Sequence, residues 1–194
     1  FELFVGPIKV ENVIVASHLG KKLELVKLAT EIPNARYSSS GNPSVIIEVD
    51  MSSSKFIGSK RLKAAGILFA NGKLIVTGVN SLDEGKEVVT NLRNLIKPLD
   101  PKINLKRAIK LENMVAKTNI SATIDLQALA LIVPNAEYDP SRFSGLILRM
   151  DKPDASFIVF ESGVLIVTDI ISLAKAKKAL NELENFIAKN SIAS

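Results

Sequence analysis

The sequence predicts an α+β protein made of two pseudo-symmetric repeats, each with antiparallel strands and two helices. Three observations lead there. First, Gly66-Ile-Leu-Phe-Ala-Asn-Gly-Lys-Leu-Ile-Val-Thr77 returns as Phe157-Ile-Val-Phe-Glu-Ser-Gly-Val-Leu-Ile-Val-Thr168, so the chain is a tandem duplication. Second, each copy reads as two strands joined by a tight turn, at Asn71-Gly72 and Ser162-Gly163, because glycine supplies the positive φ of hairpin turns. Third, each hairpin is followed by a serine that opens a stretch of helical period.

In chain order, Val10–Ser17 is a β-branched strand, and Leu111–Lys117 is its counterpart, with Asn12 and Asn113 in register. Lys22–Ile32 and Thr123–Val133 carry apolar residues at helical spacing (Leu25, Leu28 and Ile32 in the first), and both end at a proline. Pro33-Asn-Ala-Arg-Tyr37 and Pro134-Asn-Ala-Glu-Tyr138 keep the same offset, and one more short strand is expected around each tyrosine. Strands follow at Val45–Val49 and Leu146–Met150. The first copy then carries an insertion, Met51–Lys63, whose Ser, Gly and Lys content reads as a basic surface loop.

After the repeated hairpin, Ser81 and Glu84 form a capping-box pattern that opens a helix to about Ile96, with Val88, Val89, Leu92, Leu95 and Ile96 as its apolar stripe. Its twin starts at Ser172 and runs to about Lys189, with Leu173, Ala176, Leu180, Leu183 and Ile187 inward. Pro98 and Pro101 mark the connection. The expected organisation is a first repeat over 9–97, a linker and start of the second repeat over 98–110, and a second repeat over 111–189.

Composition limits the function. The chain has 194 residues, 47% of them hydrophobic, enough for a substantial core. No stretch approaches the roughly 18 uninterrupted apolar residues of a membrane helix, and Phe1–Ile8 lacks the basic flank and cleavage site of a signal peptide. A soluble, intracellular protein is expected. With no cysteine and one histidine, thiolate zinc sites, a Cys nucleophile and His clusters are excluded. The acidic residues are scattered, there is no phosphate-cradling glycine loop, and His18 reads as an exposed turn residue, so neither catalysis nor a cofactor is expected. A net charge of +5 favours a polyanionic partner.

One feature of the strands needs a partner. Leu74-Ile75-Val76 and Leu165-Ile166-Val167 are apolar on both faces, where a hairpin with one wet face alternates. If both helices of a copy pack on one side, the other side is left apolar. Either it is a binding surface, or the copies bury it against each other or in a dimer.

The two Asn strands, the two Asn-Ala-x-Tyr turns and the two Phe-x-x-Gly-x-x-x-x-Thr hairpins jointly resemble the TATA-box-binding protein family, from Val10 to about Ala188. The resemblance implies one curved antiparallel sheet, a saddle, with helices on the convex face and the concave face against the minor groove of double-stranded promoter DNA. It implies that Asn12 and Asn113 donate to base acceptors, Thr77 and Thr168 nearby, while Ile14, Ile67, Ile75, Val115, Ile158 and Ile166 pack on base edges. Phe143 and Phe160 match one pair of wedging phenylalanines. Phe69 matches half of the other, whose second position falls on Asn42; Phe56 in the insertion is a substitute or an anchor for that loop. Minor-groove bending by such wedges is the family's known behaviour.

Lys73, Arg149 and Lys152 fall where the family keeps phosphate-binding cations. Glu48, Asp154 and Val164 stand where it has basic residues, and Lys55, Lys60, Arg61 and Lys63 of the insertion could compensate. Asp139, Ser141 and Arg142 fall on the loop that meets a TFIIB-type factor and through it the RNA polymerase machinery, and Lys86 and Arg93 on a helix open to regulators. The implied function is a general transcription initiation factor that binds and bends A/T-rich DNA. The alternative is a paralogue acting mainly as a protein-interaction platform. The half-saddle also occurs as an accessory domain in some DNA glycosylases and nucleases, but no catalytic domain accompanies it in these residues. A eukaryotic source would place the protein in the nucleus, the preferred expectation, and an archaeal one in the cytoplasm or nucleoid.

Overall fold

A computed structural model of the chain describes residues 6–52, 63–105, 108–190 and 192. They divide into two compact units, Asn12–Glu112 and Phe1–Glu11 with Asn113–Ser194.

The first unit runs β1 (Lys9–His18), α1 (Leu25–Glu31), β2 (Ala35–Ser38), β3 (Ser44–Asp50), β4 (Lys63–Phe69), β5 (Lys73–Val79) and α2 (Leu82–Ile96). Its strands lie in the order β2-β3-β4-β5-β1, every neighbour antiparallel. The second unit repeats the plan with β6 (Lys110–Asn119), α3 (Leu126–Ile132), β7 (Gly145–Asp151), β8 (Asp154–Phe160), β9 (Val164–Ile170) and α4 (Leu173–Lys189), its strands in the order β6-β9-β8-β7.

Within each unit the helices cover the sheet: α2 packs on β3, β4 and β5 and α1 on β2 and β3, while α4 packs on β8 and β9 and α3 on β7. Period-two alternation then decides which residues are buried. In β5, Leu74, Val76 and Val79 are buried and Ile75 and Thr77 are not; in β9, Leu165, Val167 and Ile170 are buried and Ile166 and Thr168 are not. Between helix and sheet, Leu68, Leu92 and Ile96 of one unit and Leu146, Phe157 and Val159 of the other are almost fully enclosed. Each such side chain contributes about 1.5–3 kcal/mol of transfer free energy.

The repeated hairpin closes through three residues in each copy. Gly72 donates to the Phe69 carbonyl at 2.9 Å and Gly163 to the Phe160 carbonyl at 3.0 Å. Both glycines are left-handed, at φ +93 and +82. A Cβ on either would stand 2.1 Å from a backbone oxygen, that of Lys21 or of Ile120. The glycine carbonyls accept from Leu19 (2.9 Å) and Ile120 (2.8 Å), so each turn is sewn to the end of the preceding long strand.

The helix signals hold with two corrections. Ser81 accepts from the Glu84 amide at 3.1 Å and the Glu84 carboxylate accepts from the Asn80 amide at 2.8 Å, which closes the capping box one residue early. Ser172 caps α4 through the Lys175 amide at 3.1 Å. However, Leu95 and Leu173 are exposed rather than inward. Leu95 falls beside the stripe set by Val88, Leu92 and Ile96, and Leu173 is the first residue of its helix, beyond the reach of the sheet.

Around the tyrosines, the first unit has the short strand β2, whereas the second has a single bridge, Glu137 to Ile147. The asparagines of the Asn-Ala-x-Tyr turns, Asn34 and Asn135, adopt φ +62 and +63, which asparagine tolerates better than most residues. His18 is partly buried, not exposed, and its Nδ1 accepts from the Gly20 amide at 2.9 Å. Lys21 binds Asp100 at 2.6 Å and, through that hydrogen bond, holds its carboxyl below the usual range. The connection after α2 is thereby tied to the start of the unit. Phe56, Lys55, Lys60 and Arg61 lie outside the described residues.

Candidate nucleic-acid interface

In each unit the helices leave one sheet face without a cover. On that face of the first unit, Ile75 pairs with Ile67 and Ile67 with Ile46 across neighbouring strands. In the second, Ile166 pairs with Ile158 and Ile158 with Ile147, which is 42% exposed. Ile14 and Val115 are also partly exposed on these faces. Two rows of β-branched side chains therefore remain in contact with water. This is the expected second apolar face.

Beside each row stands an asparagine–threonine pair. Asn12 Nδ2 donates to Thr77 Oγ1 at 3.0 Å, and Asn113 Nδ2 to Thr168 Oγ1 at 3.0 Å. The amide orientation is set by the backbone: Asn12 Oδ1 accepts from the Gly78 amide at 2.9 Å and Asn113 Oδ1 from the Asp169 amide at 3.0 Å. Only an oxygen can accept there. One Nδ2 hydrogen is used on the threonine and the other is left over. Among the described residues the threonine hydroxyl has only a return contact at 3.4 Å to Oδ1, so its hydrogen can also turn outward. Each pair thus offers two donors beside a row of β-branched side chains.

The pairs depend on a β-bulge. Between Val13 and Val15, and again between Met114 and Ala116, the register shifts by one, with the extra residue in β5 or β9. That residue is Gly78 at φ +84 in the first unit and Asp169 at φ +61 in the second. The bulge turns its amide toward the asparagine.

At the end of β8, Phe160 packs edge-on against Phe143, with centroids 5.9 Å apart and planes at 70°. Phe143 is 42% exposed. It is delivered by a turn in which Asp139 Oδ1 accepts from the Ser141 amide (3.1 Å) and hydroxyl (2.6 Å), and the Asp139 carbonyl from the Arg142 and Phe143 amides (3.0 and 2.9 Å). Asp139, Ser141 and Arg142 are all exposed. Gly145 leaves room for the ring, since a Cβ there would stand 2.8 Å from Phe143 Cε1. In the first unit Phe69 faces Ser44 across the strands, as Phe160 faces Gly145, and Asn42 takes the place of Phe143. Asn42 is exposed.

A family model described as transcription factor TFIID, or TATA-binding protein, TBP, matches residues 7–99 and 108–190. The chain belongs to this family. The TATA-box-binding protein of Methanothermobacter thermautotrophicus is 29% identical over 182 residues, covering 94% of this chain and 95% of its own. That of Thermococcus kodakarensis is 32% identical over 183 residues, covering 92% and 91%. The solved structure of Methanococcus jannaschii TBP is similar with a TM-score of 0.76 at 29% identity, over 94% of this chain and 98% of that one. The α+β two-repeat fold is therefore that of the TATA-binding family, and membership supports a general transcription initiation factor. It does not favour the interaction platform.

Among the cations that the TATA-binding resemblance assigns to phosphates, two are already engaged. Lys73 lies 3.6 Å from Glu112, and Arg149 binds Asp154 at 3.0 Å. Glu48 is held by Arg36 at 3.3 Å and Lys63 at 3.2 Å, so Lys63 neutralises it directly from β4. Exposed pairs of this kind are worth about 0.2–1 kcal/mol each and can be exchanged for a phosphate. Lys152 is partnerless among the described residues and exposed.

Three residues on the free face of the second unit escape a reading based on family positions. Lys117 stands opposite Ile166 where the first unit has Ala16 opposite Ile75. Ser156 stands opposite Thr168 where the first unit has Ala65 opposite Thr77. Asp169 replaces Gly78. Setting the two copies side by side would have exposed all three, since each is a polar residue at an apolar or glycine position of the other copy.

Proposed function

We propose that this chain binds and bends A/T-rich promoter DNA through the minor groove, using the free sheet faces of its two repeats, 9–97 and 111–189, and recruits a TFIIB-type factor and with it the RNA polymerase machinery. The observation that carries the reading is the backbone-fixed asparagine–threonine pair on an apolar face in each repeat. An A·T pair shows the minor groove only acceptors, and a G·C pair adds the guanine amino donor. Two outward donors amid β-branched side chains match the first and leave the second unsatisfied.

In this reading Asn12, Thr77, Asn113 and Thr168 donate to base acceptors, and Ile14, Ile67, Ile75, Val115, Ile158 and Ile166 cover base edges. Phe143 and Phe160 open a base step at one end of the site, and Phe69 works without a partner at the other. Lys73, Arg149 and Lys152 meet phosphates. The family is a DNA-binding factor, and we read this chain as one that is not an enzyme. Its described relatives are archaeal, so the cytoplasm or nucleoid is the proposed location; the preference for a nucleus finds no support among them.

Asn113→Ala and Thr168→Ala should each weaken binding to a TATA duplex by about 1–3 kcal/mol, the range for a lost base contact, with the unfolding midpoint little changed. Equilibrium titration with labelled duplex reads the first and chemical denaturation the second. Unaltered affinity in both variants would remove the donors from the interface.

For the partner, the exposed Asp139-Pro-Ser-Arg142 turn is the proposed contact, and α2 around Lys86 and Arg93 a regulator surface. Arg142→Glu should reduce assembly of the TFIIB-type ternary complex on DNA by about tenfold, the effect of reversing a charge at a contact, while binary DNA binding holds. A ternary complex of normal affinity would place the contact elsewhere.

A further inference from the structure

The two repeats differ at the bulge that orients their asparagines. In the first, the bulge residue is Gly78 and the free face around Asn12 and Thr77 is completed by Ala65. In the second, the bulge residue is Asp169 and the matching position is Ser156. The Ser156 hydroxyl donates to Asp169 Oδ2 at 2.5 Å. Ser156 alternates with buried Ala155 and Phe157, so it lies on the free face, and it holds the carboxylate there. Asp169 is exposed, and its backbone amide is the group that orients Asn113. The bulge between β6 and β9 therefore brings side by side the donors of Asn113 and Thr168 and a carboxylate acceptor.

A carboxylate has no favourable partner along an A·T minor groove, where adenine N3 and thymine O2 are both acceptors. The groove has one base-edge donor, the guanine 2-amino group. A serine hydroxyl occupies Oδ2, which leaves Oδ1 without a partner among the described residues and open to that amino group, in a charge-assisted hydrogen bond stronger than a neutral one. The first repeat, with Gly78 and Ala65, has no acceptor at its bulge, and the carboxylate across from Ala65, Glu48, is already held by Arg36 and Lys63.

Resting on the minor-groove reading above, we infer that Asp169 is a specificity-determining residue through which the second repeat reads the 2-amino group of one guanine. The preferred element is thus not uniformly A/T: the half met by the second repeat carries a G·C pair at one position, and the half met by the first does not. Val115, Ile158 and Ile166 cover the neighbouring pairs and keep their demand for a groove without amino groups.

The test walks a single G·C pair through an A·T element and repeats the walk with inosine·C, which differs from G·C only in lacking the 2-amino group. The full chain should bind one G·C position in the second half at least about fivefold more tightly than the same position as I·C. Everywhere else G·C should bind more weakly than I·C. Asp169→Gly, which puts at φ +61 the residue type that the first repeat has at Gly78, should abolish the preference and raise affinity for the all-A·T duplex. The inference is overturned if I·C equals or exceeds G·C at every position in the wild type, or if Asp169→Gly leaves the profile unchanged. Should the variant not fold, the wild-type walk decides alone. Failure of the chain to prefer A·T over a scrambled duplex at all would instead overturn the minor-groove reading itself.

Discussion

Phe160→Ala is expected to lose more DNA bending and more affinity than Phe69→Ala. Unstacking a base step costs a few kcal/mol, which an apolar wedge must offset. In the second repeat the wedge is a braced pair: Phe160 and Phe143 meet edge-to-face at 5.9 Å, a contact worth about 0.5–1.5 kcal/mol beyond burial. The bracing fixes both rings before DNA arrives. Phe69 has no ring partner among the described residues, because Asn42 occupies the place of Phe143. A polar amide cannot replace base stacking as a ring can. Energy transfer between dyes at the two ends of a TATA duplex should show most of the bend lost in Phe160→Ala, and Asn42→Phe should add bend to the wild type. Ser44 carries the Cβ that Gly145 lacks, so the restored wedge should seat better in Asn42→Phe with Ser44→Gly. A larger loss from Phe69→Ala, or no gain from either restoring variant, would show that another residue supplies the first wedge.

Gly163→Ala is expected to be the most damaging methyl group that can be added to the hairpins. The left-handed backbone alone costs an alanine about 1–2 kcal/mol. The new Cβ would also lie 2.1 Å from the Ile120 oxygen and 2.6 Å from the Ala122 oxygen, both backbone atoms that cannot swing away. Relief requires parting the hairpin from the end of β6, with loss of the Ile120 to Gly163 hydrogen bond. A loss of at least about 3 kcal/mol follows when strain and overpacking combine. Gly41 is the control: at φ +67 with nothing within 4 Å of its Cβ, it suffers the backbone penalty alone. Denaturation midpoints of the two variants should separate widely. Similar midpoints would mean that the turn is not pinned to β6 as described.

The repeat, the strand and helix order and the serine caps were legible because each rests on local chemistry: glycine at a turn, serine and glutamate three apart, proline after a helix. The apolar second face was legible too, as Leu-Ile-Val runs without alternation. Which residue of Leu74-Ile75-Val76 faces outward was not, since all three are apolar; the family resemblance supplied it, and the burial pattern agrees. Leu95 and Leu173 are exposed; a helical stripe shows which residues share a face but not how far the sheet extends beneath it. Ion pairs such as Arg149 with Asp154 and Glu48 with Lys63 join residues on neighbouring strands, and register sets them. Asp169 follows a matching threonine and breaks no period, so in the sequence it stands out only against Gly78 of the other copy; the bulge adds that it takes a positive φ.

The central claim, that the free faces read acceptors in the minor groove, is tested most directly by equilibrium affinity for three duplexes of one length: an A·T element, the same element with every A·T replaced by I·C, and the same with G·C. I·C presents a minor groove like that of A·T and a major groove like that of G·C. The account predicts that the A·T and I·C duplexes bind within about threefold of each other and that G·C binds at least about tenfold more weakly, as repeated mismatches require. An I·C duplex bound as poorly as G·C would contradict it.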